Sequence, residues 1–355
     1  MTTTSSSARA PVRAVELDVR TNALNLVRLV LAFLVLVAHG FYIAGDGTGP
    51  SFRGENLGGW AVFGFFTLSG YLITASRLAN NLGPYLVHRV ARIFPGFLVC
   101  LVVTAGVFAP IAWWVDHHSL AGFLSTPTTP VHYVLDNSLL HITAYDVAGT
   151  PADVPYPGAW NGSLWTLVYE FSCYLLIGLV LCLPVVRRRP TILVGLFVTS
   201  VAVWALTPTL IHNPEAELLA RLVPPFLGGA TVQVLIHRIP LQHRGAGVAT
   251  VAAAAAVWFI PHWGAQAAAP LVAYVLLWVG AVLPSPELIR RHDISYGAYV
   301  YAFPVSQLLA VAGAYRLGVV ILDLAAVAVT TGLATLSWRL VERPAMRRAR
   351  RLTRR

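Results

Sequence analysis

Residues 24–44 read LNLVRLVLAFLVLVAHGFYIA, an apolar run in which only Arg28 and His39 can ionise. A run of this length, coiled at 1.5 Å per residue, crosses a hydrocarbon core of roughly 30 Å. A guanidinium and an imidazole inside such a helix are costly to bury, which makes both functional candidates. On one helix they lie about 16 Å apart along the axis, too far to touch. The arginine falls at one boundary and the histidine about 7 Å below the opposite end.

The rest of the chain repeats the pattern. It is 57% hydrophobic and 11% charged, with mean hydropathy +0.68, a composition that excludes a soluble domain with a wet surface. Apolar runs fall at 24–44, 58–76, 93–115, 164–186, 191–210, 218–236, 246–261, 266–283, 294–314 and 317–338. Backbone groups in lipid must be bonded internally, and runs this long and continuous favour helices over barrel strands. The predicted fold is an all-α, polytopic membrane bundle of about ten transmembrane helices. The two weakest runs are the seventh, short and Ala-rich, and the second, with Gly58, Gly59, Gly64 and Gly70.

Every basic residue is arginine, and its placement alternates. Arg9, Arg13 and Arg20 precede the first run; Arg77, Arg89 and Arg92 separate the second and third; Arg187 to Arg189 follow the fourth. Arg238 and Arg244 follow the sixth, Arg290 and Arg291 the eighth, and the cluster from Arg343 to Arg355 the tenth. The intervening connections are nearly bare, and the longest, Asp116 to Gly162, has no arginine. The positive-inside rule then predicts two cytoplasmic termini and an external long loop. Anionic lipid of the inner leaflet accounts for the net charge of +10 without nucleic acid. Residues 1–21 form an expected disordered cytoplasmic tail, 22–344 the membrane domain and 345–355 a basic cytoplasmic tail. No cleavage pattern follows the first run, so it is expected to be retained. Cys100, Cys173 and Cys182 fall within runs, as core residues rather than a disulfide framework, and no metal site is expected; His117 and His118, being adjacent, would point to different sides of a helix.

A second ionisable group enters in the fourth run, Trp160-Asn-Gly-Ser-Leu-Trp-Thr-Leu-Val-Tyr-Glu170. Ser163, Leu167 and Glu170 share a face, and Glu170 falls about 10 Å below the outer end, near the depth of His39. A carboxylate accepting one imidazole N–H would fix the tautomer and leave the other nitrogen to act as base. The alternative is a structural ion pair between Glu170 and an arginine. Trp160 and Trp165 are expected in an interfacial belt. Arg89 and Arg92, spaced i,i+3, share a face near Pro95; with Arg28 they serve either topology or a polyanionic phosphate ligand.

In this order the pieces resemble the acyltransferase-3 family of bacterial multi-pass membrane acyltransferases. The resemblance rests on Arg28-x10-His39, Phe65-Phe-Thr-Leu-Ser-Gly-Tyr-Leu72, Arg89-Val-Ala-Arg-Ile-Phe-Pro95, Asn161-Gly-Ser-Leu-Trp-Thr-Leu167 with Glu170, Tyr296 to Pro304, and Val341-Glu-Arg-Pro344. It implies a ten-helix bundle moving an acyl group, commonly acetyl, from cytoplasmic acyl-CoA to a hydroxyl of a cell-surface carbohydrate or glycolipid, in the bacterial inner membrane. Acyl-CoA is then a co-substrate and no cofactor is tightly bound. It implies Arg28, Arg89 and Arg92 as holders of the donor, and His39, supported by Glu170, as base or transient acyl carrier. Ser69, Ser163, Trp165 and Tyr299 are secondary, acceptor-side or site-lining candidates, with Ser69-Gly70 also readable as a close-packing pair. Where family members often carry a histidine in the ninth span, this chain has Ala302. The His141-x4-Asp146 pattern of glycerolipid acyltransferases is isolated in the long loop and read as chance. Competing readings are a transporter or exporter of a lipid-linked or small polar molecule, and an enzyme tailoring a small metabolite such as a macrolide.

Overall fold

The structure, a computed structural model, describes residues 15–18 and 21–353. Most of the expected N-terminal tail, including Arg9, Arg13 and Arg20, lies outside the described residues, as do Arg354 and Arg355. The chain is mostly helical. Ten long helices occupy the ten predicted intervals: α1 Leu24–Ala44, α2 Leu57–Ala79, α3 Leu82–His117, α4 Thr166–Val180, α5 Ile192–Leu210, α6 Pro214–Leu235, α7 His243–Phe259, α8 Ala269–Val282, α9 Ser295–Val311 and α10 Val319–Leu352. Six of these, α1, α2, α3, α5, α6 and α10, are long and apolar enough to cross a membrane. The other four have 14 to 17 residues, about 21–26 Å at 1.5 Å per residue, which is short of a full hydrocarbon core. Among the described residues, length and composition alone therefore support six of the about ten expected spans.

Successive helices alternate in direction, so the bundle has two ends. The arginine end gathers the starts of α1 and α3, the finish of α2 and the connection before α9; the loop end carries 118–165. A hairpin of two-residue strands, Ser51–Phe52 with Glu55–Asn56, stands at the loop end and departs from the all-helical pattern. Its turn residues Arg53 and Gly54 both have positive φ (56° and 81°), the geometry of the tight hairpin turns that match strand twist.

Three departures from the sequence reading matter for the site. First, α3 starts eleven positions before the predicted third span, so Arg89 and Arg92 stand on a helix rather than in a connection, and Pro95 lies inside it. Arg77 is likewise in the last turn of α2 and buried, where it donates to the Gly178 and Asn80 carbonyls and to Cys182 Sγ. A guanidinium with several donors can be buried among the unpaired carbonyls that end α2 and α4. Cys182 is thereby placed in an exposed turn after α4, not in a span. Second, α4 begins only at Thr166: residues 160–165 are a turn-like segment in which Trp160, Asn161, Ser163 and Leu164 are buried. Trp160 is not a belt residue; its indole N–H donates to Thr150 Oγ1 at 3.1 Å. Third, α10 continues through a π-helical turn, Trp338–Glu342, into the basic segment as far as Leu352.

The core pair is α2 against α6. A Cβ at Gly70 would stand 1.8 Å from the Phe226 carbonyl oxygen, and one at Gly229 would stand 1.9 Å from that of Thr67. Small residues let two backbones meet, the device helices use in lipid, where no hydrophobic force drives them together. Gly70→Ala is expected to lower the thermal midpoint in detergent, at a cost of about 1–3 kcal/mol for overpacking. Gly195→Ala, where nothing stands within 4 Å, should leave it unchanged; equal midpoints for both variants would contradict this packing.

Candidate active site: two cavities on one axis

The arginine-end cavity, about 440 Å³, is lined by Arg28 of α1, Ser69 and Ser76 of α2, His88, Arg89 and Arg92 of α3, and Tyr174, Asp293, Trp338 and Arg350 among others. All three arginines expected to hold a donor thus meet in one place. Their electrostatic states differ. Asp293 Oδ2 accepts from Arg28 Nη1 at 2.7 Å and from Arg92 Nη2 at 2.6 Å, while its Oδ1 accepts from Ser295 Oγ at 2.6 Å. Glu342, fully buried, accepts from Arg92 Nη1 at 3.2 Å and from Ser337 Oγ at 3.0 Å. Burial opposes ionisation of Asp293, but Arg28, Arg92 and the Ser295 hydroxyl outweigh it and hold the carboxyl well below the usual range. Arg89 makes no ion pair among the described residues: its guanidinium lies 6.0 Å from the ring centres of Tyr85 and Tyr174, and its Nε is buried without a hydrogen bond. An orphaned, buried cationic donor facing a cavity is a built receptor for an anion.

The loop-end cavity is larger, about 620 Å³. His39 lines it with Tyr42 and Phe303, whose ring centres stand 6.4 and 5.1 Å from the imidazole. His39 Nδ1 is buried and makes no hydrogen bond of normal geometry, with the Val35 carbonyl one turn back as its polar neighbour. Nε2 is then the nitrogen open to the cavity. Ser163, Trp165 and Tyr299 line the same space, as do Asn56, Tyr156, Arg221 and Gln266, none of which the sequence reading singled out. The Tyr299 hydroxyl bridges Ser163 O at 2.9 Å and Thr166 Oγ1 at 2.5 Å, which ties α9 to the start of α4. Arg221 pairs with Glu55 of the hairpin, and Asn56 Nδ2 donates to the Tyr42 hydroxyl at 2.8 Å. Gln307 Nε2 donates to the Tyr156 and Ala159 carbonyls, both at 2.7 Å, and so fastens the long loop to α9.

Glu170 is not the partner of His39. Its Oε1 accepts from Ser69 Oγ at 2.8 Å and from the Tyr174 hydroxyl at 2.5 Å. The expected pair fails because the run from 164 does not start at the outer surface: α4 begins at Thr166 from a buried turn, so Glu170 lies deeper than a count from the end of the run gives. It occupies the layer between the cavities. That layer spans Val35 to Arg28 on α1, Phe63 to Ser69 on α2 and Thr166 to Tyr174 on α4, about 9–12 Å by the helical rise. Ser69 faces the arginine end through this bond to Glu170, beside the close-packed Gly70.

Other positions are settled by their neighbours. Ala302 packs with Leu36 and Ala326 in a small apolar cluster and lines neither cavity. His141 and Asp146 take separate partners, Glu215 for the first and Thr128 with the Gly149 N–H for the second. Asp323 of α10 carries the same sequence signal as His39, a titratable side chain inside an apolar run. It is buried, its Oδ1 has no hydrogen bond, and a Cβ at Gly40, next to His39, would stand 1.9 Å from that oxygen.

Residues 21–339 match the family model described as an acyltransferase domain. The chain belongs to this acyltransferase-3 family, and it is an enzyme that transfers acyl groups other than amino-acyl groups. It is similar to a protein named "O-acetyl transferase" from Shigella phage Sf6, 26% identical over 91% of this chain and 96% of that protein. It is also similar to "Nodulation protein 10" from Rhizobium leguminosarum bv. viciae, 27% identical over 92% of this chain and 93% of that one. No solved structure matches it.

Asp293→Asn removes the anion between two guanidiniums. Breaking a buried pair by deleting one partner costs on the order of 3–5 kcal/mol, so the variant should show a markedly lower thermal midpoint in detergent. An unchanged midpoint would mean that Asp293 does not anchor this end.

Proposed function

We propose that the protein is an integral membrane O-acyltransferase that draws its acyl group, acetyl in the simplest case, from acyl-CoA at the arginine end and delivers it to a carbohydrate hydroxyl at the loop end. All ten long helices cross the bilayer, the short ones in the shelter of the others, with the arginine end and both termini cytoplasmic in a bacterial inner membrane. One observation carries the reading: two cavities of opposite character lie on one axis, separated by about two helical turns. One holds a surplus of guanidinium over carboxylate, suited to the phosphates of coenzyme A. The other sets an imidazole among aromatic rings and amide side chains, an amphipathic lining suited to a sugar. The name of the phage relative favours an oxygen acceptor and an acetyl group.

In this mechanism Arg89 binds a donor phosphate while Arg28 and Arg92, fixed by Asp293, shape the pocket around it. The acyl arm crosses the dividing layer beside Ser69 and Glu170. His39 Nε2 takes the proton of the acceptor hydroxyl as its oxygen attacks the thioester carbonyl. The tetrahedral intermediate collapses with cleavage of the C–S bond, and the departing thiolate takes the proton back from the imidazolium. Family membership displaces the transporter reading, because a transporter would need no acyl chemistry.

Membranes carrying His39→Ala, supplied with labelled acetyl-CoA, should transfer label to the envelope glycan fraction at least about 100-fold more slowly, the scale of a lost general base. Coenzyme A binding should be retained, since His39 belongs to the other cavity. Equal transfer by variant and wild type would refute the assignment.

A further inference from the structure

The wall of the arginine-end cavity is not made by the family domain alone. The family match ends at 339, yet Met346, Ala349 and Arg350 line the cavity. These residues sit on the last ten positions of α10, where spacings of three and four put them on one face. That face is held in place: Ala349 is buried, and one turn on, Thr353 Oγ1 lies 2.9 Å from Nε2 of His88, another lining residue. The remaining arginines of the segment, Arg343, Arg347, Arg348 and Arg351, do not line the cavity.

The charges around this cavity are divided unequally. Arg28 and Arg92 share Asp293, and Arg92 has Glu342 as well. Arg89 and Arg350 have no carboxylate partner among the described residues. They differ in depth. Arg89 has a buried Nε, whereas Arg350 is exposed at the rim. A single small anion would satisfy one of them. Two unpaired guanidiniums at different depths of one cavity instead match a ligand with two separate phosphate groups, one carried inside and one left near the mouth.

We infer that the C-terminal helix is part of the donor site, and that Arg350 binds the ribose phosphomonoester of coenzyme A while Arg89 takes the pyrophosphate. The inference rests on the reading of this cavity as the donor site and adds to it a specificity-determining residue from outside the family domain. It makes the basic segment a selector for the nucleotide end of the donor rather than a topological tail alone.

Binding of coenzyme A and of 3′-dephospho-coenzyme A to the purified full-length protein tests this, read by titration calorimetry. Wild type should prefer coenzyme A by about tenfold or more, the worth of one charge-assisted contact. Arg350→Gln should bind coenzyme A about tenfold more weakly and bind both ligands alike. Arg347→Gln, changed on the same helix but off the cavity, should behave as wild type. An Arg350→Gln protein that keeps the wild-type preference overturns the inference and leaves the donor site standing. A wild-type protein that binds neither ligand overturns the donor site and the inference together.

Discussion

Asp293 accepts from Arg28 and Arg92 with a single carboxylate oxygen, and the arginine end of the bundle is organised around that contact. It joins α1 and α3 to the connection that leads into α9, while Glu342 adds α10 through the second side of Arg92. Charges taken this far from water gain little net stability, because desolvation offsets their attraction. What they contribute is geometry: the contacts tie α1, α3 and α10 to the connection before α9. Once Arg28 and Arg92 are spoken for, Arg89 is left half-buried with no carboxylate partner among the described residues and with its Nε buried and unbonded.

Close helix packing shapes the layer between the cavities. Because α2 and α6 meet at Gly70 and Gly229 with no side chain between them, Ser69 is held where its hydroxyl reaches Glu170. Because α4 starts late, Glu170 can hang between Ser69 and Tyr174 rather than beside His39. Across the dividing layer a serine and a tyrosine thus both donate to one glutamate oxygen, and the imidazole above them is left with one nitrogen free. That division suits a reaction whose two substrates approach from opposite sides.

Much of this was legible in the chain. The first helix was bounded correctly because its apolar run ends in Gly45, which takes the left-handed conformation after the last turn. Arg89 and Arg92 were placed on one face by their spacing alone. What could not be read was partnership. Asp293 lies in a short connection and Glu342 inside a quoted motif, and only the folded chain brings them 201 and 250 positions back to Arg92. Glu170 reads as a partner of His39 only if the run from 164 starts at the outer surface, whereas buried side chains and a hydrogen-bonded Trp160 make that start an inset turn. Asp323 is hard to see in the sequence because one acid in a long apolar run barely alters its average hydropathy.

The most direct measurement is a cryo-EM structure of the full-length protein in lipid nanodiscs with a non-transferable thioether analogue of acetyl-CoA. The account predicts phosphate density against Arg89 and an arm that passes Ser69 and Glu170 to bring the acyl carbon beside His39 Nε2. Phosphate density away from the arginine-end cavity, or an arm that turns back before the dividing layer, would contradict it.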